Sequence, residues 1–335
     1  MKALEEGQKH SKEKKLTATK EDLRWATNEL VADWRAERMK CDRIADVGCG
    51  IGLQAMSFAK KCPHVLAIDI DGEKIKSAKA NAKKLNFKNI DFVEGDALDE
   101  KIHEKAKGCQ AVFLDPERSE SAKARSIDDM KPDIKEFLTW YSDITSSIAI
   151  EFPPQIKDIP LDCEKEYISI NGKLNRLTLY FGGLRKCALS AVALPGNHRI
   201  ERRQKVELEK CSAPKKHIYE VDYAVQKAGL VPELSHDTQC PLVHEKKYAF
   251  LTSDGLVESP FFRNRYRVLD AVEFDRKKIL ESLQRHQAGK AVVRYEVDPK
   301  EYWSERNYYE KQLIGKKELV LFDFDGLAVV CERIK

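Results

Sequence analysis

The segment Asp46-Val47-Gly48-Cys49-Gly50-Ile51-Gly52 follows directly on a short apolar run at 44–47 and directly precedes a helical stretch. Glycines at alternate positions let the backbone turn sharply and let a ligand approach the main chain, so the chain must fold with a strand ending at a binding crevice. From residue 43 to about 150, further short apolar runs at 65–70, 90–93, 111–114 and 148–150 alternate with helical stretches. That alternation predicts a parallel sheet covered on both faces. The helix expected after Asp71 has an apolar face of Ile75, Ala78, Ala82 and Leu85, with Lys and Glu filling the other side. Runs at 167–170, 177–181 and 188–194 would finish the sheet. Ahead of it, Thr19 would cap one helix over 20–39, with Leu23, Ala26, Leu30 and Trp34 as its apolar stripe.

A dinucleotide fingerprint would need glycine at Leu53, whose side chain would obstruct a pyrophosphate on the helix N-terminus. The spacing therefore favours another ligand. Asp46 opens the loop, and Asp69 ends the second strand, where a carboxylate can accept from both ribose hydroxyls. Asp96, in Glu94-Gly95-Asp96-Ala97, ends the third, where it can accept from an exocyclic adenine amine. Asp115-Pro116 ends the fourth, beside the reactive end of such a ligand. Asp71 sits where the next helix begins and can serve as its cap.

On these residues the chain, over about 43–194, resembles the class I S-adenosylmethionine-dependent methyltransferases. The resemblance implies a Rossmann-like α/β sheet and S-adenosyl-L-methionine as cofactor. It implies a cofactor site of Asp46, Gly48, Cys49, Gly50, Gly52, Asp69, Ile70, Asp96, Ala97 and Asp115, with no metal.

Methyl transfer from a sulfonium is an in-line displacement, so such an enzyme positions a nucleophile and offers acceptors to an amine gaining positive charge. Asp115 and the Pro116 carbonyl suit that role. Nucleic-acid amino-methyltransferases usually carry Asn/Asp-Pro-Pro-aromatic, whose ring stacks on a flipped base. Here Glu117 and Arg118 replace the second proline and the ring, and Arg118 could stack on a base or hold a phosphate. Asp-Pro-x-Arg also resembles the tetrad of 5-methyluridine enzymes. Those need a nucleophilic cysteine after the fifth strand, where this chain has Glu151-Phe152-Pro153-Pro154 and Cys163 as its nearest thiol. Methylation of a base nitrogen is the better expectation.

Beyond residue 217 the sequence is a mixture of strands and helices, predicting a small α+β domain. The runs His217-Ile218-Tyr219-Glu220-Val221-Asp222-Tyr223-Ala224 and Ser259-Pro260-Phe261-Phe262-Arg263 resemble a THUMP-like domain of a methyltransferase family, which implies structured RNA, tRNA or rRNA, as the substrate. Arg263, Arg265 and Arg267 interleaved with Phe261, Phe262 and Tyr266 could grip phosphates and stack bases; Arg263, Arg265 and Tyr266, with Arg118, are the expected substrate contacts. The domains expected are a leader and helix at 1–40, the methyltransferase domain at 41–196, a basic linker at 197–216 and recognition at 217–335. Methylation of a small molecule or protein, or RNA binding without catalysis, are the rival readings. Asp323-Phe324-Asp325-Gly326 is expected to be a hairpin turn, not a phosphatase motif.

Composition bounds these readings. At 335 residues the chain favours two domains, and 42% hydrophobic with 34% charged residues suits a soluble globular protein. Lys+Arg of 59 against Asp+Glu of 55 leaves +4, so any polyanion site must be a local patch. No stretch approaches the roughly 20 apolar residues of a membrane helix and the N-terminus has no apolar signal core, so a cytoplasmic protein is expected. Nine scattered cysteines without Cys-x-x-Cys argue against disulfide or zinc frameworks.

Overall fold

The protein is described from a computed structural model that covers residues 16–118, 126–156, 158–204 and 206–334. The expected leader, Lys205 and the Arg118 side chain lie outside the described residues. The chain divides into two compact units, Met1–Ile170 with Leu174–Asn197, and Asn171–Lys173 with His198–Lys335.

In the first unit the N-terminal helix is broken. Thr19 and Asp22 form a reciprocal capping box for α1 (Lys20–Trp25), but the chain turns extended at Ala26, and Asn28 caps a second helix, α2 (Glu29–Arg38), by accepting from the Leu30 N–H. The single stripe expected over 20–39 therefore serves two cores. Leu23 and Ala26 pack with Ile51, Leu53 and Met56, whereas Leu30 and Trp34 pack with Val31, Ile168 and Val192.

Then come β1 (Arg43–Val47), α3 (Leu53–Ala59), β2 (His64–Asp69), α4 (Gly72–Leu85), β3 (Ile90–Glu94), α5 (Glu100–Ala106) and β4 (Ala111–Leu114). Two short strands, β5 (Glu117–Arg118) and β6 (Met130–Lys131), pair antiparallel after it. The unit closes with α6 (Ile134–Ser142), β7 (Ile148–Phe152), β8 (Glu164–Ile170), β9 (Lys173–Tyr180) and β10 (Leu189–Leu194). Within the unit the strands run β10-β8-β9-β7-β4-β1-β2-β3. β3, β2, β1, β4 and β7 are parallel, and β9 returns antiparallel along β7. Strand order reverses beside β1, which places a crevice beyond the carboxyl ends of β1 and β4. Ala45, Ala67, Val112, Phe113 and Ala149 are fully buried, as strands covered on both faces require.

The second unit opens with β11 (His198–Glu201), so the basic segment at 197–216 is not a bare linker. Its backbone is tied down further on, where the Leu242 N–H donates to Glu209 O and the Cys211 N–H to Leu242 O. Its cations also meet acids: Arg202 is paired with Glu233, Arg203 with Asp237 and Lys215 with Asp254. The unit continues through β12 (His217–Val221), α7 (Tyr223–Lys227), α8 (Val231–Thr238), β13 (Leu242–Glu245), β14 (Ala249–Ser253), β15 (Phe262–Glu273), α9 (Arg276–Arg285), β16 (Ala288–Val293), α10 (Tyr302–Glu310), β17 (Lys317–Phe324) and β18 (Leu327–Ile334). The sheet order is β13-β14-β12-β15-β18-β17-β16, antiparallel except for β16 with β17. Asp325 and Gly326 both have positive φ, 56° and 91°, the geometry of a tight hairpin turn. Its sheet curls far enough for His244 of β13 to stack on Phe324 of β17, ring centroids 4.5 Å apart.

Candidate functional site

The glycine loop is held by its neighbours before any ligand is considered. The N–H groups of Gly48 and Cys49 both donate to Ile68 O, and the Asp115 N–H donates to Val47 O, which draws the ends of β1, β2 and β4 together. Gly48 has φ +75°, and a Cβ there would lie 2.5 Å from the Asp115 carbonyl oxygen, so only glycine lets these two backbones meet. Gly50, at φ +53°, is different, because a Cβ there would meet no atom within 4 Å. The loop is open on that side.

Asp69 is buried and spans the loop. Its Oδ2 accepts from the Gly50 N–H at 2.7 Å and its Oδ1 from the Asp71 N–H at 2.9 Å, leaving each oxygen a further lone pair. Asp71 instead accepts from the Glu73 and Lys74 N–H groups and caps α4. Ile70 is 68% exposed, and Ala97 is buried where Tyr141 donates to its carbonyl at 3.0 Å. Asp96 is exposed and accepts from the Leu98 N–H. Leu53 heads α3 and turns into the core with Ile51 and Met56.

Asp46 is fully buried, and neither carboxylate oxygen has a hydrogen-bond partner among the described residues. Burial pushes its carboxyl up to about 8 against the pull of Arg35, with Asp69 and Glu151 adding to the rise. Asp115 also stands well above the usual carboxylate range, through burial first and then the Glu151 charge, against Arg176 and Arg35. Glu151 goes the other way. Burial would raise it, but Arg35 and Arg176 outweigh that and hold it low.

These last residues form a buried ionic group that sequence reasoning did not find. Arg35, on α2, donates to Glu151, to Gln54 Oε1 at 2.6 Å and to Thr178 Oγ1 at 3.2 Å, with its guanidinium 4.3 Å from the Phe113 ring centroid. Arg176, on β9, donates from Nε to the other Glu151 oxygen at 2.5 Å. The available signal was Glu151 itself, a charge inside the apolar run Ile148-Ala149-Ile150-Glu151-Phe152 of a central strand. Glu117, which follows Asp115-Pro116, pairs with Lys74 of α4 at 2.6 Å. Cys163 is buried, and burial pushes its thiol up to about 11, which suits no nucleophile.

The three substrate contacts expected in the second unit fare differently from one another. Tyr266 is 2% exposed and packs edge-on to Phe322 in the core with Ile218 and Phe250, so it presents no ring for a base. The reason is the strand period: on β15 the side chain at 266 points inward while those at 265 and 267 point away. Arg265 pairs with Glu258, and Arg263 with Glu220.

Residues 44–126 match a family model described as a methyltransferase domain. The first unit has the class I methyltransferase fold. S-Adenosyl-L-methionine is the cofactor of that fold, and the residues present fit it: a buried carboxylate without a partner, an open glycine backbone and an exposed isoleucine beside the bridging Asp69. The chain is 34% identical over 96 residues to an uncharacterized RNA methyltransferase of Halalkalibacterium halodurans, a match covering 28% of this chain and 21% of that protein. It is 33% identical over 82 residues to an uncharacterized RNA methyltransferase of Streptococcus pneumoniae, covering 24% and 18%. The chain thus spans about a fifth of the length of these relatives. A crystallised protein of Porphyromonas gingivalis W83, whose name places it among the methyltransferases, superposes with TM-score 0.78 over 95% of this chain and 83% of its own at 17% identity, so the likeness of fold reaches both units. No helix among the described residues is long and apolar enough to cross a membrane.

Proposed function

We propose that this chain is an S-adenosyl-L-methionine-dependent methyltransferase that acts on a base nitrogen of RNA. The observation carrying the reading is the meeting of Asp46, Asp69 and Asp115 around an open glycine loop at the ends of β1, β2 and β4. Two relatives named as RNA methyltransferases support the choice of substrate. When bound, S-adenosyl-L-methionine would supply an electrophilic methyl group to the target nitrogen.

The chain's own residues do the positioning. Asp69 would accept from the ribose hydroxyls through its remaining lone pairs, Ile70 would cover the adenine face, Asp96 would take the adenine amine, and Asp46 would take the ammonium. Asp115 and the Pro116 carbonyl accept from the target amine, orienting its lone pair and taking up the positive charge that grows as the methyl group arrives. Burial and the Glu151 charge outweigh Arg176 and Arg35 and keep the Asp115 carboxyl high, so in the cofactor-free protein it accepts through its carbonyl oxygen.

Labelled cofactor incubated with unmodified total RNA, with protein and with metabolite fractions tests this directly. Label is expected in the RNA fraction and should disappear with Asp115→Ala. Label confined to protein or metabolites would overturn the substrate, and labelled RNA that persists in Asp115→Ala would overturn the catalytic assignment.

A further inference from the structure

Glu220, on β12, is fully buried, yet four donors converge on its carboxylate: Arg263 Nη1 at 2.7 Å, Arg294 Nη2 at 3.0 Å, Asn264 Nδ2 at 2.6 Å and the Tyr223 hydroxyl at 3.2 Å. One cation is enough to neutralise one buried carboxylate. Here there are two guanidiniums, and a third, that of Arg333, donates to Asn264 Oδ1. The group carries an excess of positive charge, and Glu220 is the one acid paired with Arg263 or Arg294 among the described residues.

Aromatic rings fix the guanidinium planes. The Arg263 guanidinium lies 4.4 Å from the Tyr223 ring centroid, Tyr223 stacks on Tyr248 at 5.3 Å and 12°, and Arg294 lies 5.9 Å from Tyr248. Arg263 and Arg294 are each tied to Glu220 through a single nitrogen, and their side chains stay 20% and 28% exposed. Arg263 Nη1 also donates to the Tyr223 hydroxyl, and the remaining nitrogens of both arginines have no hydrogen-bond partner among the described residues and are not enclosed, which leaves them as donors a ligand can reach. Two planar forks held rigid at the rim of a curled sheet, with donors outward and charge in excess, form a receptor for a tetrahedral oxyanion.

We propose that this Glu220-centred cluster is a phosphate-binding site that holds the backbone of the RNA strand. This inference rests on the RNA reading for its choice of phosphate, and it replaces the buried Tyr266 with Arg294 as the partner of Arg263. Glu220 is a positioning residue, because it aims the two guanidiniums without itself meeting the ligand.

The test is anisotropy of a fluorescein-labelled 16-nucleotide oligouridylate with the full chain over a salt series. Arg294→Gln and Arg263→Gln are each expected to weaken binding about 3- to 10-fold and to lower the slope of log affinity against log salt by about 0.7, one single-strand phosphate contact each. Cofactor affinity should be unchanged in both, and the circular dichroism spectrum and thermal unfolding, which read the second unit as well, should match the parent. The double variant with unaltered RNA affinity and salt slope would overturn the proposal, and so would inorganic polyphosphate binding at this site without RNA binding. RNA held through Arg263 and Arg294 but never methylated would leave the site standing and sink only the methylation of RNA.

Discussion

Replacing Asp46 with Asn should make the cofactor-free protein more stable while weakening its hold on the cofactor. In the native state the Asp46 carboxyl keeps its proton up to about pH 8, whereas in the unfolded chain it loses that proton near 3.8. The native state therefore binds more protons between these values, and the stability this group contributes falls as pH rises through the window. The interval corresponds to about 6 kcal/mol as an upper bound. Side-chain relaxation and entry of water reduce it, and the Asn amide would itself lack partners, so a net gain of about 1–3 kcal/mol near pH 8 is expected. On the proposed role of Asp46, bound cofactor would reverse the sign, because an ammonium beside the carboxylate would favour its ionised form. Losing that charge-assisted bond should weaken cofactor binding by about 1.5–3 kcal/mol. Denaturant unfolding at pH 5 and pH 8, with and without cofactor, reads both effects. Asp46→Asn should show its advantage at pH 8 and little at pH 5, and titration calorimetry should show the loss of affinity. A variant that is less stable than the parent at pH 8, with unchanged cofactor affinity, would refute the assignment of Asp46 as an uncompensated buried acid facing the cofactor.

Other outcomes follow from neighbouring contacts. Asp69→Ala removes the bridge between Gly50 and Asp71 and should weaken cofactor binding by one to about 3 kcal/mol in calorimetry; an unchanged affinity would point to Asp71 instead. Gly48→Ala sets a methyl group against the Asp115 carbonyl, and the strain at that positive φ should lower the thermal midpoint and abolish methyl transfer together. Glu164, held by Arg38, Ser190 and the Lys186 N–H, has its carboxyl lowered to about 2 although burial alone would raise it. Its stabilisation is complete above pH 4.5 and is lost as pH falls toward 2, about 2–3 kcal/mol on the order-of-magnitude scale of that interval. Glu164→Gln should flatten acid unfolding over that range, and an unaltered acid profile would count against the pair.

Much of the crevice at the glycine loop was legible because strand ends and glycine turns are local signals. The strand, turn and helix around Gly48, Gly50 and Gly52 follow from adjacent residues, as do the cap at Asp71 and the hairpin turn at Asp325-Gly326. The break at Asn28 was missed because two short helices and one long helix share the same apolar spacing. The difference is one side chain that bonds the Leu30 N–H, and two separate cores that take Leu23 and Trp34 in different directions.

By itself the sequence determined the alternating α/β order, the glycine loop and the acids at the strand ends, because each depends on periodicity and turn chemistry within a few residues. Only the tertiary structure decided which charges meet. Arg35, Glu151 and Arg176 are separated by more than a hundred residues at their widest, and Glu220 finds Arg263 on the neighbouring strand and Arg294 just past the end of β16. Such pairings depend on strand order and register, which bring distant side chains into one low-dielectric space where a partner sets the ionisation of each group. Tyr266 shows the same rule in reverse: its composition suited an RNA surface, and the strand's two-residue period turned it into the core.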